Sequence, residues 1–281
     1  MMLDPSMLID RLPAVLQGRI LLFRQHAARR SFAWNVSVML LGTVAGQAVS
    51  LLLSPVLTRL FSPAQFGYLS VYSAVLTIFG VVASLGLELA IPICMDDAEC
   101  ADLLALNGLA LLCTTGLVTL FACLVSTHTL DALGLGSLAS YRWLLPIGFA
   151  CLGGYYIMVA VATRAGAFKE IARTRISQGI SGPISQIILG LLSAGTPGLV
   201  VGYVIGQSSG TLLLFSRIVM RQREWLHHIS WRGIEAMARR YTNFPLFASW
   251  ARVLDMAGGG MVLFVLFSAF YSPEVAGFMF L

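Results

Sequence analysis

Long apolar stretches alternate with short polar segments along most of the chain. A helix needs about 20 apolar residues to cross the hydrocarbon core of a bilayer, and several stretches reach that length without a charged residue. The pattern predicts seven spanning helices and the start of an eighth, at 35–58, 67–92, 103–126, 143–163, 176–194, 198–219, 244–268 and from 275 onward. The predicted fold class is therefore an all-α polytopic membrane protein.

Composition and charge point the same way. Charged residues make up 11% of the 281 residues, whereas a soluble domain carries roughly 25%. The net charge of +5 could suggest nucleic acid, but the basic residues flank predicted spans and have no soluble domain around them. We expect no nucleic-acid partner, and we expect anionic lipid headgroups to contact these residues instead.

Most of the 18 Lys and Arg residues fall on one side of the membrane if the spans alternate in direction. They are Arg11, Arg19, Arg24, Arg29 and Arg30, then Arg164, Lys169, Arg173 and Arg175, and then Arg217, Arg221, Arg223, Arg232, Arg239 and Arg240. Cytoplasmic loops hold an excess of Lys and Arg. The sequence therefore predicts a cytoplasmic amino terminus.

The same pattern divides the chain into four parts. Residues 1–30 form a basic leader, interpreted as an amphipathic helix on the inner membrane surface, with an unstructured leader as the alternative. Residues 31–220 form a first lobe of about six transmembrane helices, and 221–243 a cytoplasmic amphipathic linker. Residues 244–281 are the start of a second lobe.

A short segment occurs twice. FSPAQFGY at 61–68 returns as YSPEVAGF at 271–278, an offset that aligns the first span with the seventh. Six spans separate the copies, so both run in the same direction, and such repeats are typical of transporters built from two similar helical bundles. We expect two parallel lobes, of which the chain contains the first and only the beginning of the second.

Small and amide residues form stripes inside two spans. Gly198, Gly202, Gly206 and Gly210 recur every four residues in the sixth span, and Gln178, Gly182, Gln186 and Gly190 do so in the fifth. Glycine lets a neighbouring helix approach closely. Because an unsatisfied amide in hydrocarbon costs several kcal/mol, we expect Gln178 and Gln186 to face a partner helix or a watery cavity.

Charged residues within spans are functional candidates. Glu88 lies toward the cytoplasmic end of the second span, and Arg252 and Asp255 lie three residues apart in the seventh, close enough to neutralise one another. Arg252 and Asp255 could form a structural ion pair or could contact substrate, and the sequence does not decide between these two roles. Arg59 lies near the outer rim of the first span, where reaching the headgroups is the favoured interpretation.

The segment CMDDAEC offers the one candidate for surface chemistry. Asp96, Asp97, Glu99 and Asp102 could hold a divalent metal, although carboxylates also favour the amino terminus of a helix, and the structural interpretation is preferred. No GxSxG, HExxH or P-loop pattern occurs. The sequence therefore predicts no catalytic residue, no metal site and no cofactor, and a protein that is not an enzyme.

Several segments carry a family resemblance. They are LSPVLTRLFSPAQFGYLSVYSAV, VVASLGLELAI, RAGAFKEIARTRISQGISGPISQIILG, GLVVGYVIGQ and YTNFPLFASW, in this order. Over roughly residues 31–281 the chain resembles bacterial polysaccharide biosynthesis proteins of the oligosaccharide flippase type, in the multidrug, oligosaccharidyl-lipid and polysaccharide exporter superfamily.

The resemblance implies a flippase of the bacterial inner membrane that moves an undecaprenyl-pyrophosphate-linked oligosaccharide by alternating access, for O-antigen, capsule or exopolysaccharide synthesis. Arg252 and Arg59, with Gln178 and Gln186, are the implied substrate contacts, and Glu88 and Asp255 the implied ion-coupling or structural partners. Polysaccharide polymerase and glycosyltransferases of the same pathway are candidate partners.

Three alternatives stay open. A cation-coupled drug antiporter of the same superfamily is expected to carry an acidic residue deep in its first span, and 35–58 contain no Asp or Glu. A membrane-embedded glycosyltransferase or acyltransferase would need a catalytic loop, for which only 96–102 is a candidate. Because the second lobe is expected to be truncated, an inactive remnant is the third alternative.

Overall fold

The structure, a computed structural model, describes residues 14–94, 96–128, 139, 141–219, 229–258 and 261–280. The first described helices are α1 (Ala14–Leu60), α2 (Pro63–Gly80), α3 (Asp97–Leu124), α4 (Leu145–Arg164), α5 (Phe168–Leu191) and α6 (Gly195–Leu214). After them come α7 (Trp231–Arg240), α8 (Ser249–Gly258), α9 (Met261–Phe270) and α10 (Pro273–Phe280). Shorter elements are the 3₁₀ helices Leu87–Ile93 and Arg142–Leu144 and the π-helical turns Phe215–Val219 and Phe244–Ala248.

Four of the described helical segments are long and apolar enough to cross a membrane, namely Trp34–Leu60, Asp97–Leu124, Arg142–Arg164 and Gly195–Ile218. Large apolar side chains remain exposed along them, such as Leu52, Leu112 and Leu212, which suits contact with hydrocarbon. The chain is an all-α polytopic membrane protein, as the hydrophobic pattern predicted.

The second predicted span, 67–92, is not one continuous helix. α2 ends at Gly80, a run of turns follows, and Leu85 and Gly86 adopt positive φ angles of 55° and 73°. A 3₁₀ helix, Leu87–Ile93, then completes the segment and contains Pro92. Glycine reaches the left-handed region at little cost and proline lacks the N–H that a helix needs, so both disfavour a continuous α-helix here.

The fifth and seventh predicted spans also differ from expectation. α5 extends from Phe168 to Leu191 and so begins with the charged residues Lys169, Glu170, Arg173 and Arg175, which were placed in a loop. The predicted span 244–268 starts as a π-helical turn and is helical over Phe244–Gly258 and again from Met261, while 259–260 lie outside the described residues.

The bundle is organised around α5, whose most extensive contacts are with α1 on one side and α6 on the other. One cluster of buried apolar residues surrounds α4 and includes Tyr155, Val161 and Leu214. A second surrounds α2 and includes Tyr72 and Leu199. The polar features described below lie between these packed regions.

The linker helix α7 packs against the start of α3. The Ser230 amide donates to Asp102 Oδ1 over 2.8 Å, and Arg240 pairs with Glu99 at 2.9 Å. The Tyr241 hydroxyl also donates to Glu99, over 3.0 Å, and burial together with this bond raises the pKa of Tyr241. Within the predicted linker, 221–228 lie outside the described residues, as do residues 1–13 of the predicted leader; from Ala14 the chain runs directly into α1.

The repeated segment starts a helix in the same way in both copies. Ser62 Oγ accepts from the Gln65 amide over 3.4 Å, and Ser272 Oγ accepts from the Val275 amide over 3.3 Å. In both copies proline is the first residue of the helix that follows, as Pro63 in α2 and Pro273 in α10, where its missing N–H costs nothing. The sequence repeat is therefore a structural repeat.

Candidate functional site

A cavity of about 440 Å³ lies among α1, α2, α5, α6 and the end of α10. Its lining combines small residues with uncharged polar ones and has an apolar end. The residues are Thr43, Gly46, Gln47, Ser50, Ser54, Leu57, Phe66, Leu69, Arg175, Gln178, Gly179, Gly182, Pro183, Gln186, Tyr203, Gly206, Gln207 and Phe280. A cavity with a largely apolar lining and a few polar groups is the usual form of a ligand site.

One wall of the cavity is the contact between α5 and α6, where the two predicted stripes meet. A Cβ built on Gly206 would lie 2.9 Å from Gly182 Cα, and one on Gly202 would lie 2.8 Å from the Gln186 amide nitrogen. Real side chains essentially never come this close, so glycine is required for the two backbones to touch. The predicted role of these glycines in close helix packing is confirmed.

A second wall is formed by α1 against α5. Gly46 packs on the backbone of Arg175, and Gly179 packs in turn on the backbone of Gly46. The Ser50 hydroxyl donates to the carbonyl oxygens of Gly46, over 3.2 Å, and Gly179, over 3.3 Å. Glycine on both helices thus brings the polar face of α1 beside that of α5.

The two predicted glutamines both line the cavity but have different partners. Gln186 is buried, and its Nε2 donates to the Leu199 carbonyl oxygen of α6 over 3.0 Å. Gln178 is half-buried, and its Nε2 donates to Gln207 Oε1 over 3.3 Å. Gln186 therefore contributes to the α5–α6 contact, whereas Gln178 and Gln207 form an amide pair on the cavity wall.

Arg175 is the only charged residue among the described residues that line this cavity. Its guanidinium lies over the Tyr155 ring, 5.1 Å from the ring centroid, an arrangement that attracts a cation without neutralising its charge. Sequence reasoning counted Arg175 as a flanking cytoplasmic charge. It lies three residues before Gln178 on the same helical face, so extending the glutamine and glycine stripe by one turn would have found it.

A second polar site joins the 3₁₀ helix to α8. Arg252 donates to Glu88 Oε1, and Ser84 donates to the other carboxylate oxygen, Oε2. The Glu88 side chain is 5% exposed and the Arg252 side chain 28%, and the guanidinium lies 5.9 Å from the centroid of the Tyr156 ring. The pair links the first predicted lobe to the start of the second.

The pairing of Arg252 with Asp255 that the sequence suggested was wrong. Arg252 bonds to Glu88, 164 positions away, and Asp255 is exposed, with no ion pair among the described residues. The break after Gly80 brings Glu88 to α8, which spacing along one helix could not reveal. Arg59 is exposed at the end of α1 and does not line the cavity.

Three of the four carboxylates of the acidic segment, those of Asp97, Glu99 and Asp102, have protein partners. Asp97 pairs with Arg164 at 3.0 Å, while Glu99 and Asp102 hold the linker helix as described above. Asp97 and Glu99 lie in the first turn of α3, where their charge favours the helix dipole. These contacts support the structural interpretation, and the described residues contain no group of three or more His, Cys, Asp or Glu side chains that could hold a metal ion.

Comparison with known families gives a match over most of the chain. A sequence model of the polysaccharide biosynthesis protein family matches residues 56–254. The chain belongs to the polysaccharide biosynthesis protein family. Searches of the curated proteins and of the solved structures find no significant match.

The matched range begins near the end of α1 and reaches into α8, so it includes Arg175, both glutamines and the Glu88–Arg252 pair. The resemblance stated from the sequence is confirmed at the level of the family. Family membership and the apolar helices together support a membrane protein with a role in polysaccharide synthesis or export.

Proposed function

We propose that this protein is a flippase that moves a lipid-linked oligosaccharide across the bacterial inner membrane, without itself performing a chemical step. The observation that carries the proposal is the cavity of uncharged polar residues with one guanidinium, Arg175, on its wall. A glycan needs hydroxyl-binding groups along its path, and Gln47, Gln178 and Gln207 offer both amide donors and carbonyl acceptors.

The proposed cargo is an undecaprenyl-pyrophosphate-linked glycan, whose headgroup is anionic. Moving such a charge through hydrocarbon requires a compensating cation. Arg175 fits this role better than Arg59, because both are exposed residues but only Arg175 lines the cavity. Arg252 has Glu88 as its partner in this conformation, and it would meet cargo only after that pair separates.

The proposed orientation follows from the distribution of charge. We place the basic residues of α7 and of the first turns of α5 on the cytoplasmic side, because cytoplasmic segments hold an excess of Lys and Arg. The cavity would then extend from Thr43 and Arg175 near the cytoplasmic side to Leu57 and Phe66 near the outer side. Cargo would enter beside the cation and leave toward the ends of α1 and α2.

A glycosyltransferase or acyltransferase activity finds less support. Such an activity would rest on the acidic segment, and Asp97, Glu99 and Asp102 are all engaged with Arg164 or the linker. An antiporter of the same superfamily also finds less support, because the described part of α1 from residue 34 contains no Asp or Glu. Pathway enzymes such as a polysaccharide polymerase remain proposed partners.

The test is Arg175→Gln in the intact protein, expressed in cells whose own flippase has been removed. The measurement is the arrival of lipid-linked glycan at the outer membrane face, detected with a glycan-binding lectin. We expect a loss of about tenfold or more, because a hydrogen bond to a charged group contributes about 1.5–3 kcal/mol.

Arg173→Gln is the matched control. Arg173 is on the same helix, is exposed, and pairs with Glu170 at 2.6 Å away from the cavity, so its loss should leave glycan arrival unchanged. Equal losses in the two variants would mean that general charge near the membrane matters, and normal arrival with Arg175→Gln would refute the proposed role of the cavity.

A further inference from the structure

An apolar groove lies on the surface of the bundle where α2 and α3 stand apart. Both helices pack on α4, whereas direct contacts between α2 and α3 are few. The groove has a volume of about 370 Å³, and every residue that lines it is apolar. Its floor consists of buried residues, namely Leu76, Leu145 and Phe149. Its rim consists of exposed residues, namely Phe79, Leu117 and Phe121. The groove is therefore open to the hydrocarbon around α3 and α4, which are long enough to span a membrane.

The groove is separate from the polar cavity, and the two share no lining residue. Tyr72 of α2 is fully buried between them. Its ring packs edge-on against Tyr203 of the cavity wall, with the ring centroids 6.2 Å apart. Its hydroxyl donates to the Leu144 carbonyl oxygen over 2.9 Å, next to Leu145 of the groove floor. A molecule in the groove therefore contacts the membrane and not the cavity.

A guanidinium lies at one end of the groove. Arg142 begins the 3₁₀ helix before α4, three residues ahead of Leu145, and its Nη1 donates to the Val125 carbonyl oxygen over 2.7 Å. Val125 follows Phe121 by one turn at the end of α3, so this bond joins two helices that line the groove, one turn beyond it. A guanidinium has five N–H donors, and this is the one hydrogen bond that Arg142 makes among the described residues. Its other donors can bind a ligand at this end.

Neighbouring aromatic residues show where this end lies in the membrane. Tyr141 and Trp143 flank Arg142, and Trp143 is 59% exposed. Trp and Tyr are enriched where the membrane meets water. Leu117 precedes Val125 by eight residues, which places it about 12 Å deeper along α3, and the hydrocarbon of one leaflet is about 15 Å thick. Arg142 therefore lies at the level of lipid headgroups, and the groove lies at the depth of the acyl chains of the same leaflet.

We infer that the groove and Arg142 together bind one anionic phospholipid, with an acyl chain in the groove and the phosphate on the guanidinium. Arginine can bind phosphate through two parallel N–H···O bonds, and an acyl chain restores the dispersion contacts that an empty groove would lose. A zwitterionic lipid would place its ammonium group beside the guanidinium, so a lipid with a net negative charge is favoured. The site does not depend on the proposed flippase function, because the groove does not open into the cavity.

The experiment measures lipid binding by the intact protein purified in detergent. The probe is phosphatidylglycerol with a photoreactive diazirine in one acyl chain, and mass spectrometry of peptides locates the cross-link. We expect saturable cross-linking to the segment 117–121, whose dependence on lipid concentration gives the affinity. Arg142→Gln should weaken the binding about tenfold, the change that follows the loss of a hydrogen bond to a charged group. An unchanged affinity would overturn the inference.

Two further variants separate the charge of Arg142 from its bond to Val125. Arg59→Gln is the matched control, because Arg59 is an exposed arginine at the end of α1 and lies outside the groove; its replacement should leave the affinity unchanged. Arg142→Lys keeps the positive charge and should recover part of the loss. A loss in Arg59→Gln equal to that in Arg142→Gln, or no recovery in Arg142→Lys, would overturn the phosphate contact.

Leu117→Trp and Leu112→Trp form a matched pair that tests the groove. Both leucines are exposed on α3, by 65% and 70%, but only Leu117 lines the groove. The larger ring in Leu117→Trp narrows the groove, so we expect binding to weaken about tenfold, an effect of the size that overpacking gives, and Leu112→Trp to have no effect. Because both positions are exposed, this pair decides the question even if Arg142→Gln does not fold. Equal effects at both positions would overturn the inference.

Competing lipids identify the occupant of the groove. Unlabelled phosphatidylglycerol should displace the probe at a lower concentration than phosphatidylcholine does, and equal displacement would overturn the recognition of charge. Displacement by a polyisoprenyl phosphate and not by phosphatidylglycerol would assign the groove to a lipid of the cargo type. No cross-linking at 117–121 would mean that other protein covers the groove, and either result would overturn the inference. Glycan export is not part of the measurement, so failure of the flippase proposal would leave these outcomes unchanged.

Discussion

Two regions of this protein place polar side chains among apolar helices: the cavity, and the contact between the 3₁₀ helix and α8. The two regions supply partners for these side chains in different ways. In the cavity, neutral amides bond to one another or to backbone, and the Arg175 guanidinium lies over the Tyr155 ring without an ion pair among the described residues. Between the 3₁₀ helix and α8, the buried Glu88 carboxylate and the Arg252 guanidinium neutralise each other. The Ser84 hydroxyl donates to the other oxygen of the carboxylate. The difference shows that the charges of the second region are neutralised within the protein, whereas the first keeps a guanidinium and amides that can bond to a ligand.

Breaking the ion pair between Glu88 and Arg252 should lower the free energy of unfolding more than the other two changes. Glu88→Ala leaves the Arg252 guanidinium without its carboxylate in a mostly buried position, and we expect a loss of about 3 kcal/mol in the free energy of unfolding. Thermal or denaturant unfolding of the purified protein in detergent measures it. The double variant Glu88→Leu with Arg252→Met should recover most of the loss, and an equally large loss in the double variant would contradict the ion-pair explanation.

Overpacking the cavity wall between α5 and α6 should lower the free energy of unfolding by an intermediate amount, for a steric reason and not because a charge is changed. Gly202→Ala places a methyl group against the backbone of Gln186, and overpacking of this kind costs about 1–3 kcal/mol. The same unfolding measurement applies. Gly108→Ala, where a Cβ meets nothing within 4 Å, should have no destabilising effect, and similar losses at both positions would point to glycine replacement in general.

Replacing the buried amide of Gln186 should give the smallest loss in the free energy of unfolding. Gln186→Leu removes one hydrogen bond to the Leu199 carbonyl while keeping much of the side-chain volume, and hydrogen bonds between membrane helices contribute roughly 0.6 kcal/mol on average. We expect a loss of about that size in unfolding free energy. A loss as large as that of Glu88→Ala would show that the amide, and not only the glycines, holds α5 to α6.

Much of the cavity could be anticipated because its components are local in sequence. The stripes of glycine and glutamine on α5 and α6 lie at helical spacing, and their meeting follows from the need to satisfy amides in hydrocarbon. Arg175 was missed because basic residues near membrane ends usually face headgroups, and that statistical rule outweighed its place on the stripe. Gln207 was missed although it directly follows Gly206 on the opposing stripe.

The second region could not be anticipated in the same way. The pairing of Arg252 with Asp255 was the natural interpretation of two opposite charges three residues apart. The structure instead joins Arg252 to Glu88, because the chain leaves the α-helix after Gly80 and returns as a 3₁₀ helix beside α8. A partner 164 residues away depends on how the helices pack, which no local pattern encodes.

By itself the sequence determined that this chain is an all-α membrane protein of the polysaccharide biosynthesis family, with a repeated Ser-Pro helix start and glycine stripes for close packing. These properties follow from composition, run length and period, which act locally. Only the tertiary structure decided that the two repeats pack on each other and that Glu88 is the partner of Arg252. Both are contacts between distant segments, and their geometry is set by where helices break and which backbones glycine allows to touch.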